Sequence, residues 1–274
     1  MSRKFLFLVP GALCAIALLL LAWSLIEVAG ADVANLANRA PRRTAVMNER
    51  EREAIAHRRA YRVDERWVPY DSISPLLRRA VLVAEDDAFF SHDGLDWNEI
   101  GAAARRNLEA GHAVRGASTI TQQLAKNVYL GTERSIPRKL KEALLALRLE
   151  HALSKRRIFE LYLNEIEWGD GIFGAEAAAQ RYFGVAAAEL DARQALLLAA
   201  IIINPRRFSP LAPTPRIERR VRILASRLHH RGALDEAQYR LAIGEAPPPG
   251  WFRRFFFGGP TGDSTHAGKP GSGR

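Results

Sequence analysis

The chain has 274 residues, of which 40 are Lys or Arg and 30 are Asp or Glu, and 48% are hydrophobic. This length and composition predict one substantial folded core or two modest ones and exclude a disordered or collagen-like chain. The single cysteine, Cys14, excludes a disulfide scaffold and a Cys-rich zinc site. The seven histidines show no metal-ligand spacing such as His-Glu-x-x-His.

An uncharged run of 22 residues, Phe5 to Ile26, follows Arg3 and Lys4 near the N-terminus. It is long enough to span a bilayer as one helix, and it exceeds the apolar core of about 7–15 residues of a cleaved signal peptide. We therefore expect a membrane anchor over residues 5–26, with a cleaved signal peptide as the alternative. The positive charges before the run predict that residues 1–4 stay in the cytoplasm and that the remaining chain is exported.

The part of the chain after residue 26 holds 38 basic and 30 acidic residues, so it carries a net positive charge. Nucleic acid is not an expected partner for an exported domain. Membrane lipid headgroups or a lipid-linked pyrophosphate suit this charge better.

Composition divides the exported chain into three parts: residues 27–60, residues 61–245 and residues 246–274. Residues 27–60 are interpreted as a solvated spacer, with a juxtamembrane helix or stalk as the alternative, and residues 61–245 as the folded domain. The aromatic and basic segment Trp251 to Phe257 is typical of an interfacial anchor, and packing on the domain is the alternative. Residues from 258 onward, rich in Gly, Pro, Ser and Thr, are expected to be disordered.

Apolar spacing and capping residues predict a mainly α domain. Helices are expected over Pro75 to about Phe90, from Asp96 to Gly111, from Ser118 to about Val128, Pro137 to Leu153, Ser154 to about Asn164, Ala175 to Phe183, Asp191 to Ile203, and after Pro213. The helix after Pro213 is rich in arginine and is expected to be a solvated basic helix, with a membrane-surface role as the alternative. At most a short extended piece is expected between Arg62 and Ser74, and a loop from Glu165 to Gly174.

The first polar cluster runs from Glu85 to Gly94. Glu85 follows Val81 by four residues, so its side chain is predicted to point toward the buried side or a cleft. Desolvation there raises a carboxyl pKa and suits the group to proton transfer. Asp86 and Asp87 are expected at a solvated helix end, and His92 either orients the turn or belongs to the site.

A second cluster, from Arg115 to Leu130, places Thr119, Gln122, Gln123 and Lys126 at helical spacing on one polar stripe. Such a stripe is often the solvated side of a helix. Here it follows a Gly-Ala-Ser-Thr start whose backbone amides are able to bind an anion. The alternative to a solvated face is therefore a binding surface, in which the amide side chains of the stripe hold sugar hydroxyls and Lys126 holds a phosphate.

A third cluster places Glu142 four residues after Arg138 and three after Lys139. This spacing is typical of ordinary helix ion pairs, and it also suits a second carboxylate with two cations that meets a pyrophosphate or a divalent cation. A fourth group, Lys155 to Asn164, is weak evidence by itself.

In this order, behind an apolar N-terminal run, the clusters resemble the glycosyltransferase family 51 domain, specifically the monofunctional biosynthetic peptidoglycan transglycosylases, over roughly residues 60–230. The most specific piece is the stretch from Gly116 to Asn127. Matches to the family's other motifs are Glu85, Asp86, Phe89, His92 and Gly94 in the first, Arg138, Lys139 and Glu142 in the third, and Lys155 to Asn164 in the fourth. Val185 and Gln194 depart from the usual pattern, at positions to which no chemistry is assigned.

The resemblance implies a lysozyme-like glycosyltransferase domain that polymerises lipid II into glycan strands, with inversion and release of undecaprenyl pyrophosphate. Glu85 would be the general base for the acceptor's 4-hydroxyl, and Glu142 the second catalytic carboxylate, which supports the leaving group. The substrate-binding set implied by the match is Ser118, Thr119, Gln122, Gln123, Lys126, Asn127, Arg138, Lys139, His92 and Lys155. Lys126, Arg138 and Lys139 would hold pyrophosphate.

The same resemblance implies no obligatory cofactor, with a divalent cation, Mg or Mn, as an optional one. Expected partners are lipid II, the growing lipid-linked glycan chain, membrane lipids and proteins of cell-wall synthesis or division. The expected location is the bacterial inner (plasma) membrane, single-pass, with a periplasmic catalytic domain.

The sequence offers three alternatives to this function. Crosslinking by a second, transpeptidase domain is not expected, because no Ser stands three residues before a Lys. A lysozyme-type hydrolase or lytic transglycosylase also uses a carboxylate pair, but the cations around Glu142 would then meet no pyrophosphate. A membrane-tethered adaptor that binds lipid II without chemistry is the non-enzymatic alternative.

Overall fold

Helices form most of the chain, as predicted. The computed structural model describes residues 19–111, 117–133 and 135–245. Its helices are α1 (19–29), α2 (Ala45–Ala56), α3 (Pro75–Glu85), α4 (Trp97–Ala110), α5 (Ile120–Ala125), α6 (Ile136–Ala152), α7 (Lys155–Glu165), α8 (Ala175–Phe183), α9 (Ala192–Ile201), α10 (Pro215–His230) and α11 (Glu236–Ile243). Its strands are β1 (Asp64–Glu65), β2 (Glu167–Gly169) and β3 (Ile172–Phe173).

Polar caps set the start of most helices, because a Ser, Thr or Asp side chain accepts a backbone N–H that has no partner within the helix. The caps with this hydrogen bond are Thr44, Ser74, Asp96, Thr119, Ser135, Ser154, Asp191, Thr214 and Asp235. The predicted ends of α4 at Asp96 and Gly111, and the predicted start of α7 at Ser154, are confirmed.

Two predicted helix bounds were wrong. α3 ends at Glu85 instead of about Phe90, because Asp86 leaves the helical conformation at φ −162° and ψ 82°. α5 begins after Thr119 rather than Ser118, since the Thr119 hydroxyl accepts the Gln122 amide. α5 then continues into a wider π-helical turn, Lys126–Leu130.

The centre of the core is α9, in which Ala192 and all residues from Ala195 to Ile201 are buried. It packs against α3, α10 and α11, while α5 packs against α6 and α7. The apolar cluster that these helices share extends from Val28 to Ala242. α3, α5, α6 and α10, which carry the polar clusters, are therefore fixed relative to one another by burial of their apolar faces.

Two very short strands, β2 and β3, lie in the region where a loop was expected, and they form one sheet with β1. In the order β1-β3-β2, β1 runs parallel to β3 and β2 runs antiparallel to it. The expectation of a loop from Glu165 to Gly174 was therefore wrong. Strands of two or three residues are too short for the alternating pattern that would reveal them in the sequence. The short extended piece expected before Ser74 is confirmed as β1.

The interpretation of residues 27–60 as a solvated spacer was wrong for α2. Val46, Met47 and Ala54 are buried, and Val46 and Met47 pack with Phe173. Arg50 forms an ion pair with Glu167 at 3.0 Å. These partners lie more than 100 positions away in sequence, so only the tertiary fold shows that α2 belongs to the domain.

The segment before α2 is also attached to the domain. In the last turn of α1, Glu27 pairs with Lys141 and the Val28 carbonyl accepts from Arg148. After α1, the Asp32 carbonyl accepts from the Tyr129 hydroxyl at 3.0 Å. Residues 5–18 of the expected anchor, and residues 246–274 with the aromatic segment, lie outside the described residues. Within the described part of the chain, no helix combines the length and apolarity needed to cross a bilayer.

Glu165, at the end of α7, is completely buried, and neither of its carboxyl oxygens has a hydrogen-bond partner in the described structure. Burial raises its pKa to about 9, and the nearby Glu65 carboxylate adds to this effect while Arg157 opposes it. The side chain is therefore protonated at neutral pH, when the same residue in the unfolded chain is ionised.

Replacing Glu165 with Gln should stabilise the protein at neutral and alkaline pH. The unfolded chain releases this proton near pH 4.5 and the folded one near pH 9, so the wild type's free energy of unfolding falls as pH rises between these values, by on the order of 3 kcal/mol at pH 7. In thermal unfolding experiments in detergent, the Tm of Glu165→Gln should be higher than that of the wild type at pH 8 and equal to it near pH 4. Glu109→Gln, on the exposed surface of α4, is the control, and an equal difference at both pH values would contradict the assignment.

Candidate active site

Glu85, the last residue of α3, is held by side chains from two other helices. Its Oε2 accepts a hydrogen bond from Gln123 Nε2 on α5 at 3.1 Å, and its Oε1 accepts from Arg220 on α10 at 2.7 Å. The Tyr162 hydroxyl donates to Gln123 Oε1 at 2.9 Å and so fixes the orientation of that amide. The Glu85 side chain is 12% exposed. Glu85 thus lies on the cleft side of its helix, as its spacing from Val81 predicted.

Opposing effects act on the ionisation of Glu85. Burial raises its pKa, whereas Arg220, the Gln123 hydrogen bond and Lys126 lower it, and burial prevails. A carboxylate with a raised pKa is a stronger base than a solvated one. The two donors keep its oxygens in a fixed position.

A second buried carboxylate, Glu142, carries two cations. Arg138 donates to its Oε2 at 2.7 Å, and Lys139 pairs with Oε1 and also donates to the Ser118 hydroxyl at 2.7 Å. The residue is 3% exposed. The predicted spacing therefore produces ion pairs in which the carboxylate is buried while the Lys139 side chain is 48% exposed. Two cations against one carboxylate leave a net positive charge.

Lys126 lies within the electrostatic range of both carboxylates. Burial and the nearby Arg138 lower its pKa, while Glu142 and Glu85 raise it. Within the ranges that the structure covers, its ammonium makes no hydrogen bond or ion pair. Lys126 is therefore a cation that remains available to a ligand between Glu85 and Glu142.

The polar stripe of α5 is not a solvated face. Thr119 and Gln122 are buried and satisfy each other: the Gln122 amide carbonyl accepts the Thr119 N–H, and the Thr119 hydroxyl accepts the Gln122 N–H. Asn127 is also buried and donates to the Gln123 carbonyl at 2.8 Å. These buried contacts fix the position of α5, whose Gln123 side chain binds Glu85 and lines a cavity beside it.

The anion expected at the start of α5 is the protein's own Asp86. Its Oδ2 accepts the Ile120 N–H at 2.9 Å, and both of its oxygens lie 3.1 Å from His92 Nε2. The expectation that Asp86 is solvated was therefore wrong, whereas Asp87 is 45% exposed and pairs with Arg231.

His92 orients the turn after α3, one of its two interpretations. Its Nδ1 accepts the Gly94 N–H at 3.1 Å, and the Thr119 hydroxyl donates to the Gly94 carbonyl at 2.6 Å. Gly94 has φ +90°, and a Cβ there would lie 2.9 Å from Glu150 Cγ. A side chain at this position would be strained and would displace α6.

Lys155 is among the substrate-binding residues that the resemblance implies. It pairs with Glu150 at 2.8 Å, and its ammonium lies 4.4 Å from the centre of the Phe89 ring. Glu150 also accepts the Thr121 hydroxyl. The structure shows no contact between Lys155 and either Glu85 or Glu142, so Lys155 supports the turn that carries His92.

Arg220 was missed as a site residue because the arginines of α10 were assigned to solvent. The signal was present: Arg220 follows Ile217 by three residues and precedes Leu224 by four, so it flanks the buried face of the helix. An arginine in that position extends along the apolar surface and places its charged end at the edge of the core.

Two cavities adjoin Glu85. Glu85, Ser118 and Arg227 line both cavities. The smaller cavity, of about 270 Å³, is also lined by Asp86 and Thr119. The larger one, of about 600 Å³, is also lined by Gln123. Across the described ranges, no three His, Cys, Asp or Glu side chains are grouped as a metal site. The arrangement offers a proton acceptor next to fixed cations that stabilise a departing anion.

Comparisons with a family model and with individual known proteins agree on one family. A family model described as Transglycosylase matches residues 51–229. Similar proteins, each named biosynthetic peptidoglycan transglycosylase, include one from Nitrosomonas eutropha, 44% identical over 79% of this chain and 86% of the relative. A second is from Chromobacterium violaceum and is 50% identical over 60% of this chain and 72% of the relative. A third, from Aromatoleum aromaticum, is 48% identical over 69% of this chain and 81% of the relative.

The adjacent residues Asp86 and Asp87 should differ sharply in their effect on stability. Asp86→Ala leaves the Ile120 N–H and His92 without their buried charged partner, which costs on the order of 2 kcal/mol or more. Asp87→Ala removes an exposed ion pair and should change the free energy of unfolding by less than about 1 kcal/mol. Urea unfolding of both variants in detergent checks this, and equal effects would contradict the buried role of Asp86.

Proposed function

This chain belongs to the transglycosylase family, and we propose that it is a peptidoglycan glycosyltransferase that polymerises lipid II into glycan strands. The observation that supports this best is the largely buried Glu85 carboxylate within electrostatic range of Lys126, which itself lies close to the ion-paired group of Arg138, Lys139 and Glu142. The reaction needs both features, because a sugar hydroxyl must lose a proton while a pyrophosphate departs. The mainly helical domain is consistent with a lysozyme-like glycosyltransferase fold.

Glu85 acts as the general base in this mechanism. It takes the proton of the acceptor's 4-hydroxyl while that oxygen bonds to the anomeric carbon of the lipid-linked growing chain. The bond from that carbon to the pyrophosphate oxygen breaks on the opposite face, so the configuration inverts and undecaprenyl pyrophosphate leaves. A positioned base of this kind contributes about 10²–10⁴-fold to the rate.

The cationic group stabilises the leaving pyrophosphate. Arg138 and Lys139 are held in place by Glu142 before the substrate arrives, so they bind the developing charge without reorganising. Lys126 adds a cation that no described side chain neutralises. Glu142 is in this account a positioning carboxylate, since both of its oxygens contact these cations.

We propose a mechanism without an obligatory metal; among the described residues, no three His, Cys, Asp or Glu side chains are grouped as a metal site. The Glu142 oxygens, the most suitable ligands by position, are already engaged by Arg138 and Lys139. We retain Mg or Mn as an optional cation that would bind through the substrate's pyrophosphate.

We place the enzyme in the cell envelope, anchored once in the bacterial inner membrane by residues 5–26 with the catalytic domain in the periplasm. The uncharged run and the preceding Arg3 and Lys4 support this orientation. A membrane location brings the active site to the lipid-linked substrates. Membrane lipids and proteins of cell-wall synthesis or division are the further partners we propose.

Glu85→Gln should abolish polymerisation while the fold and lipid II binding are retained, because Gln accepts hydrogen bonds but is not a base. Wild type and variant in detergent are incubated with labelled lipid II, with and without Mg or Mn, and the products are separated by size. We expect a ladder of glycan polymers from the wild type alone, with Glu109→Gln as a matched control that behaves as the wild type.

Two results would contradict this function. A normal ladder from Glu85→Gln would remove Glu85 from the chemistry. A folded wild type that makes no polymer but releases fragments from intact cell wall would show a hydrolase, and one that only binds lipid II would show an adaptor.

Arg220→Gln should move the acidic limb of the pH–rate profile to higher pH. Activity requires ionised Glu85 and is lost as pH falls through its pKa. Since Arg220 lowers that pKa, its removal raises it, and the limb shifts upward by about one pH unit or more. Arg220→Lys keeps the positive charge, so its acidic limb should lie close to that of the wild type. An unmoved limb in Arg220→Gln would contradict the coupling between Arg220 and Glu85.

A further inference from the structure

α10 presents a row of arginines to the cleft. Arg216, Arg219, Arg220 and Arg227 lie on one face of the helix and line the cavity of about 600 Å³ that also contains Glu85. The opposite, apolar face of α10 is buried in the core. These four arginines therefore form a positively charged wall of the cleft beside Glu85, the α10 wall.

Two of these arginines have unused hydrogen-bonding capacity. Arg220 is bonded to Glu85, and the Arg216 guanidinium lies 5.9 Å from the centre of the Phe208 ring. In the portion of the chain described by the structure, Arg219 and Arg227 make no hydrogen bond and no ion pair at contact distance. Arg227 is near enough to Asp87 to lower its pKa, but less than Arg231 does.

The Lys126, Arg138 and Lys139 group differs from this wall, because Glu142 neutralises part of its charge. Arg219 and Arg227 line the cleft and make no direct contact with a carboxylate among the described residues, and Arg227 also lines the smaller cavity together with Asp86 and Asp87. Guanidinium groups in this state bind carboxylates and phosphates through paired hydrogen bonds. The α10 wall therefore favours an anionic part of a ligand that also reaches Glu85.

The acceptor substrate of the proposed function has such anionic parts. Its reacting hydroxyl must lie at Glu85, and its stem-peptide carboxylates and its own pyrophosphate lie farther along the molecule. Arg227 is seven residues beyond Arg220, about 10 Å along the helix axis, which is comparable to the length of a disaccharide. An acceptor bound at Glu85 therefore extends an anionic group to the distance of Arg227.

We propose that Arg219 and Arg227 form an anion subsite for the acceptor, binding its pyrophosphate or a stem-peptide carboxylate while its hydroxyl lies at Glu85. This subsite rests on the proposed function and extends it to a wall of the cleft to which the family motifs in the sequence assigned no role. The shared ligand chemistry is a phosphate or carboxylate group on the lipid-linked sugar.

A membrane surface is a less suitable partner for the same arginines. A helix that lies on a bilayer buries its apolar face among the lipids. In α10 that face, with Ile217, Val221 and Leu228, is buried within the protein. The arginines also share their cavity with Glu85 and Gln123, which are groups of the reaction site.

The test measures steady-state kinetics with a preformed lipid-linked tetrasaccharide as saturating donor and lipid II as the varied acceptor. Arg219→Gln and Arg227→Gln should each raise the KM for lipid II by about tenfold, the usual effect of losing a charged hydrogen bond, with kcat within about twofold. Arg222→Gln is the matched control, because Arg222 is exposed on the same helix but does not line the cavity. It should behave as the wild type.

A second acceptor separates the two anionic groups. With a lipid-linked disaccharide that lacks the stem peptide, a KM defect that persists in the variants assigns the subsite to pyrophosphate. A defect that disappears, because the wild type now binds as weakly as the variants, assigns it to a carboxylate.

Three outcomes would contradict the subsite. Variants that match Arg222→Gln while the wild type polymerises lipid II would overturn the subsite alone. Unchanged KM in detergent, with weaker binding to vesicles containing anionic lipid, would show a membrane role instead. An inactive wild type would overturn the proposed function and the subsite together.

Discussion

The buried Glu85 carboxylate is the point at which three helices meet. α3 carries it, and the Gln123 and Arg220 side chains that bind it belong to α5 and α10. Removing a carboxylate from water is costly unless hydrogen bonds and opposite charge compensate for it. The positions of α5 and α10 relative to α3 are therefore part of the chemistry, and the apolar packing around α9 maintains them.

Charge in the cleft is divided between two groups of cations with different partners. Arg138 and Lys139 are organised by Glu142 before any substrate binds, which suits groups that must stabilise charge as it develops. Arg219 and Arg227 make no direct contact with a carboxylate among the described residues, which suits groups that bind an anion present throughout the reaction. In the proposed mechanism, Glu85 acts on the hydroxyl that joins the substrates.

The sequence predicted those features that depend on near neighbours. The caps Asp96 and Ser154 and the pairing of Glu142 with Arg138 follow from spacings of three or four residues. Arg50 with Glu167, and Arg220 with Glu85, join positions 117 and 135 residues apart, and no local pattern indicates such partners. Asp86 was placed in solvent because its partner amide belongs to another helix, so its burial depends on tertiary packing.

The proposed mechanism depends on the ionisation of Glu85. Infrared spectra of the carboxyl groups, recorded for wild type and Glu85→Gln across the pH range, isolate this residue in their difference. We expect Glu85 to release its proton above the ordinary carboxyl pKa of 4.5, because burial outweighs the effect of Arg220. Titration at or below that value would show that the carboxylate is well solvated or over-compensated by charge, and would contradict its role as a desolvated base.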